Sequence, residues 1–187
     1  MGSGSFFTDA KGRFAETVIS TLLEHAGYRV LRLGVEELVS EVKAGVSRGE
    51  QALVLPDQLR TAPDFLVVDP VSGNTTLLEV KFRRRFECDV AAKLHTLLQR
   101  QENYWPGFVS VFLCPNPPGF NDSSKETDIR QFVRCLKASD LNRLIEPHER
   151  LTKWQRLRTL GAVFERVGDQ DFYKETASLI GPIRAWA

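Results

Sequence analysis

Glu79 and Lys81 stand inside a stretch, Thr75 to Phe82, that is otherwise β-branched and apolar. Strand side chains alternate, so Glu79 and Lys81 leave one face while Leu78, Val80 and Phe82 leave the other. An ion buried without a partner is costly. The strand must therefore set something chemical against one of its faces. Upstream, Phe65-Leu66-Val67-Val68 is a short continuous apolar run of the kind found in buried strands. Between the two lies Asp69-Pro70-Val71-Ser72-Gly73-Asn74, a turn by composition. The pair is predicted to be a β-hairpin. Pro63-Asp64 stands where its first strand begins. Hairpin pairing then sets Asp64 beside Glu79. Asp69, before Pro70, is expected to shape the turn and not to serve as a third ligand.

The flanking segments predict an α/β fold. Thr8 and Asp9 offer helix caps. Phe14, Val18, Ile19, Leu22, Leu23 and Ala26 form a helical stripe that Gly27 can end. Met1 to Ser5 reads as a flexible polar start. Tyr28 to Leu33 alternates like a strand, and Val35 to Pro56 is ambiguous, with a helix over Val35 to Val46 as one reading. Val90 to Tyr104 reads as a helix and Phe108 to Leu113 as a strand ended by prolines. Asp128 to Leu136 and Ser139 to Ile145 read as helical, as does most of the chain from Leu151. The expected order is helix, strand, hairpin, helix, strand, helices: a mixed sheet flanked by helices. With 187 residues and no repeats, a single domain is expected. Its core would span 8–118, with a mostly helical part, 119–187, packed on it.

Two carboxylates held together repel unless a proton or cation sits between them. Hard divalent ions take oxygen ligands, commonly one or two carboxylates with water and substrate phosphate. Asp64 and Glu79 have that composition, and Lys81 adds a positive charge for a phosphate or an attacking water. These are parts for metal-assisted phosphodiester hydrolysis. The alternative reading is an exposed salt bridge between Lys81 and a neighbouring acid on an edge strand.

Pro63-Asp64 followed by Glu79-Val80-Lys81, on a predicted hairpin between a helix and a helix–strand unit, resembles the PD-(D/E)XK nuclease superfamily. The resemblance covers Lys11 to Leu113. It implies a restriction-endonuclease-like mixed-sheet core and a magnesium-dependent DNA endonuclease, with manganese as a possible substitute. It further implies Asp64 and Glu79 as metal ligands, with the Val80 carbonyl as another, and Lys81 as the residue that positions water or stabilises the transition state. Glu16, on the first helix, matches a glutamate that many members bring to the site. An ordinary exposed glutamate is the alternative. Gln99 is the candidate for a glutamine that some members carry on the helix after the motif. Tyr104 follows it by five positions and not the usual four.

Lys+Arg total 25 and Asp+Glu 24, a net charge of +1, which excludes a polybasic binder but not a local patch. Arg83, Arg84 and Arg85 leave the active-site strand directly. With Lys93 and Arg100 on the next helix, they are the candidate phosphate contacts. Trp154, among Arg150, Lys153, Arg156 and Arg158, is read as core. The three cysteines are spaced for neither zinc nor a disulfide framework, and reduced thiols in a cytoplasmic protein are expected. No membrane span or signal peptide is read. DNA is the expected partner, RNA stays open, and a homodimer or larger complex is allowed. The rival from another class is a non-catalytic nucleic-acid-binding or assembly subunit. Here the fold would persist without turnover.

Overall fold

The computed structural model describes residues 3–33, 56–86, 88–118, 128–144, 154–168, 172 and 175–186. Helix α1, Ser3–His25, buries Ala15, Val18, Ile19, Leu22 and Leu23 on one side. It runs through Thr8 and Asp9, and it takes in Ser3–Ser5, which the sequence suggested was a flexible start. Serine, threonine and aspartate favour caps but carry no clash that stops a helix as proline would. The helix ends as expected at Gly27, at φ +82°. Gly27 N donates to Glu24 O and Tyr28 N to Leu23 O, the paired bonds of a left-handed terminal turn.

Five strands form one sheet in sequential order. β1 (Arg29–Arg32), β2 (Phe65–Val68) and β3 (Thr75–Phe82) make an antiparallel meander. A four-residue helix α2 (Asp57–Arg60) lies between β1 and β2. Helix α3 (Cys88–Tyr104) crosses over so that β4 (Val109–Leu113) runs parallel to β3. The expected hairpin turn is present. Asp69 accepts from Val71 N at 2.9 Å and Ser72 Oγ at 3.0 Å. Hydrogen bonds to its charged form, led by Val71 N, hold its carboxyl below the ordinary value.

The segment read as a helix over Asp128 to Leu136 is instead a 3-10 turn, Ile129–Gln131, followed by strand β5, Val133–Lys137. Ile129, Phe132, Val133 and Leu136 are spaced like one helix face, and all four are buried. The open edge of β4 decides otherwise: β5 pairs antiparallel along its whole length. Val133 and Cys135 then enter one core while Leu136 enters the other. The outer edge of β5 is closed in turn by Arg158, which exchanges backbone hydrogen bonds with Cys135.

The remaining C-terminal elements are mostly single 3-10 turns, at Ala138–Leu144, Leu160–Ala162, Glu165–Gly168 and Thr176–Leu179, before the short helix α4, Ile180–Ala185. Leu160, Phe164, Val167, Phe172, Ile180 and Ile183 pack into the core that α1 covers. The other face of the sheet packs Phe112 and Leu136 against Leu94 and Leu98 of α3 and against Trp154. Trp154 is a core residue, as its spacing suggested, and its Nε1 donates to Gln131 O at 3.1 Å. The ambiguous stretch after β1 and its acidic residues lie outside the described residues. Among the described residues, no helix is long and apolar enough to cross a membrane.

Candidate active site

The site forms where the β2–β3 ladder stops. Phe65 pairs with Leu78 and Val67 with Thr76, and Asp69 N donates to Asn74 O. In an antiparallel pair, facing residues alternate between exchanging both backbone bonds and exchanging none. The Asp69–Asn74 bond fixes the bonded set on β3 as Asn74, Thr76, Leu78 and Val80. The same register sets Pro63 opposite Val80, and proline has no N–H to give. Asp64 takes over: its Oδ2 accepts from Val80 N at 2.6 Å, while its own carbonyl accepts from Leu33 N at 3.0 Å. A strand residue turns its N–H and C=O toward the same neighbour, so the Val80 carbonyl faces this same broken end of the ladder.

Glu79 projects from the sheet face that α3 covers and is only 6% exposed. Its Oε1 pairs with Lys81 Nζ, two residues along the same face. Its Oε2 accepts from Gln101 Nε2 at 2.9 Å. Gln101, 5% exposed, also donates to Thr61 O at 2.9 Å. One side chain of α3 thus ties Glu79 to the segment that leads into Asp64. The same segment is held by Arg100 on Asp57, 2.5 Å, and by Trp105 Nε1 on Gln58 O, 3.1 Å.

Glu16 is buried, at 4% exposed, and is bound by Arg32 Nη1 at 2.6 Å. Arg32 in turn lies over the ring of Phe65. The reading of Glu16 as a solvent-facing glutamate does not hold. Burial pushes the Asp64 carboxyl up to about 8; the charges of Glu79 and Glu16 add to the rise, while the Val80 amide and Lys81 oppose it. The electrostatic field at Asp64 therefore includes Glu79, Lys81 and Glu16.

The basic residues divide. Arg83 is half-buried. Desolvation lowers its pKa, opposed by the charge of Glu79, and its Nη1 donates to Phe82 O. Arg84, Arg85 and Lys93 are exposed. Arg100 is engaged with Asp57, so its guanidinium serves the fold first. Gln99 is exposed on the outer face of α3, away from the carboxylates; Gln101 holds the position assigned to Gln99 from the sequence. Ala91, Leu94, Leu98 and Gln101 continue one helical stripe, a signal that sets Gln101 on the buried face. Arg32 was also missed: within a short strand nothing marks it as an ion-pair partner.

Among the described residues, no group of three or more acidic, histidine or cysteine side chains is arranged to enclose a metal ion. The donors that meet here are two carboxylates and a main-chain carbonyl. That oxygen set suits magnesium or manganese, which fill the rest of their coordination with water and substrate phosphate. The raised Asp64 carboxyl is consistent with that fit, since a cation between the carboxylates relieves the repulsion that a proton otherwise relieves. No family model, curated protein or solved structure matches this chain.

Proposed function

We propose that this protein is a metal-dependent DNA endonuclease with a restriction-endonuclease-like core. The observation that carries the reading is Asp64 held on the Val80 amide beside the Glu79–Lys81 pair, with the charge of Glu16 felt at Asp64. Support comes also from the order of elements: a helix, an antiparallel three-strand meander, a crossover helix and a parallel strand, the arrangement that the motif's family leads one to expect. Asp64, Glu79 and the Val80 carbonyl would hold a divalent ion. Such an ion supplies Lewis-acid stabilisation of phosphate charge and eases deprotonation of the attacking water. Lys81 leaves Glu79 to orient that water or to meet the non-bridging phosphate oxygen. Arg84 and Arg85 grip flanking phosphates and fix the register of the strand. Glu16, paired with Arg32, adds its charge to the field at Asp64.

The test is cleavage of supercoiled plasmid and of branched DNA with Mg²⁺ and with EDTA. Magnesium-dependent nicking is expected, with loss in folded Asp64→Ala and Lys81→Ala variants. Folded variants that cut at the wild-type rate would remove the assignment. One observation favours a second reading, a DNA-binding subunit without turnover: both Glu79 oxygens already have partners, Lys81 and Gln101. Calorimetry separates the two, because only the nuclease takes up Mg²⁺ through Asp64 and Glu79.

A further inference from the structure

Ser110 lies on β4 directly beside Glu79 in the parallel register, on the sheet face that α3 covers. It is 1% exposed, and its Oγ has no hydrogen-bond partner among the described residues. A buried hydroxyl left unpaired is unfavourable, and in a strand facing a packed helix alanine would fill the same place without that cost. The hydroxyl sits next to the one carboxylate whose partner has to move. Lys81 pairs with Glu79 Oε1, yet the proposed reaction requires its amine at the phosphate or the attacking water. When it leaves, Oε1 loses a donor inside a buried setting. Gln101 holds only Oε2, and one bond leaves the carboxylate free to turn about it.

We propose that Ser110 is a positioning residue for Glu79. Its Oγ donates to Oε1, directly or through one water, once Lys81 has swung to the substrate. A serine hydroxyl rotates freely, so it can stay unpaired in the resting site and turn to the carboxylate on demand. Ser110 and Gln101 then hold one oxygen each through the reaction, and each oxygen keeps a second lone pair for an ion. This role rests on the nuclease reading and deepens it.

The experiment compares wild-type, Ser110→Ala and Ser110→Thr proteins in steady-state plasmid cleavage with Mg²⁺, together with thermal unfolding. Ser110→Ala is expected to raise the melting temperature, since it deletes an orphan hydroxyl. It is also expected to lower kcat by about tenfold with KM unchanged, the mark of a misplaced reacting group. Ser110→Thr keeps the hydroxyl and is expected to recover most of kcat. A Ser110→Ala protein that is more stable and fully active would overturn the proposal, because the hydroxyl would then be only a packing defect. Equal loss in both variants would overturn it too, since crowding and not hydrogen bonding would be at fault. Wild-type protein that neither cuts DNA nor binds Mg²⁺ would take the nuclease reading down first, and this role with it.

Discussion

Replacing Asp64 by asparagine is expected to stabilise the protein while abolishing its metal response. The Asp64 carboxyl titrates at about 8, against an unfolded value of 3.8. Between those values the folded state keeps a proton that the unfolded state has released, so stability falls as pH rises. The slope is about 1.4 kcal/mol per pH unit. From 3.8 to neutrality is about three units, which sets a ceiling of roughly 4 kcal/mol on the cost at pH 7. Relaxation of a buried site makes about half of that a fair expectation. Asparagine keeps an oxygen to accept from Val80 N and carries no charge to bury. For a chain of this size, about 2 kcal/mol corresponds to roughly 4–8 °C in melting temperature. The assay is thermal unfolding from pH 5 to pH 9, with EDTA or with Mg²⁺. In EDTA, wild-type protein should lose stability up to about pH 8 and then level off, whereas Asp64→Asn should remain nearly flat and higher. Mg²⁺ should stabilise the wild type increasingly with pH, since it competes with the proton, and should leave Asp64→Asn unmoved. A wild-type profile flat from pH 5 to pH 8, with no gain in the variant, would refute the argument that Asp64 is buried against like charge.

Gln101→Ala should lower cleavage and cost about 1–3 kcal/mol, because buried Glu79 and Thr61 O each lose a donor; Gln99→Ala, on the exposed face, should change neither, as denaturant melts and plasmid assays can check. Arg84→Ala and Arg85→Ala should each weaken DNA binding and reduce the log–log salt slope by about 1, measured by fluorescence anisotropy across a salt series. Arg100→Ala should leave that slope unchanged, since its guanidinium is held by Asp57. Trp154→Ala should destabilise the fold by about 3–5 kcal/mol in urea unfolding, through loss of a fully buried ring and its bond to Gln131 O.

The hairpin was legible because strand parity and turn composition act locally; it brings Asp64 onto the Val80 amide, next to Glu79 in sequence. The helix before the hairpin and the one after it were legible because each carries a long apolar stripe. β5 was not, because Ile129, Phe132, Val133 and Leu136 satisfy a helical spacing as well as a buried strand does. Only the unfilled edge of β4, a tertiary fact, chooses between them. Within the site, the residues themselves pointed to Lys81 and the resemblance to Glu16 and Gln99; Gln99 is exposed, and Gln101 is the glutamine that binds Glu79. Gln99 lies closer to the motif in sequence, whereas burial follows the helical stripe that ends at Gln101. Arg32 gave no signal, since its role depends on α1 and β1 meeting near the end of β2. The basic run was legible as a cluster, yet the division of labour within it was not. Arg83 is half-buried against its own strand end and Arg100 is paired, so Arg84, Arg85 and Lys93 carry the exposed charge.

Burial first, and then the charges of Glu79 and Glu16, hold the Asp64 carboxyl above the ordinary carboxylate range. Glu79 has Lys81 and Glu16 has Arg32, each an ion-pair partner. The hydrogen bond to Asp64 comes from a neutral backbone amide. Burial and the two neighbouring carboxylates raise Asp64, and its own hydrogen bond brings no compensating ion. A divalent cation held there would displace the Asp64 proton and add positive charge beside Lys81, and so would loosen the hold of Glu79 on the lysine. Lys81 is the one free to go, a point charge on a flexible stem, whereas Arg32 lies over the ring of Phe65. On this reasoning metal entry itself frees the lysine for substrate. Lys81→Met, which keeps the stem and removes the charge, should therefore raise Mg²⁺ affinity in calorimetry while cutting DNA more slowly. Weaker Mg²⁺ binding in that variant would mean that Lys81 does not compete for Glu79 and that the site is arranged for something other than this exchange.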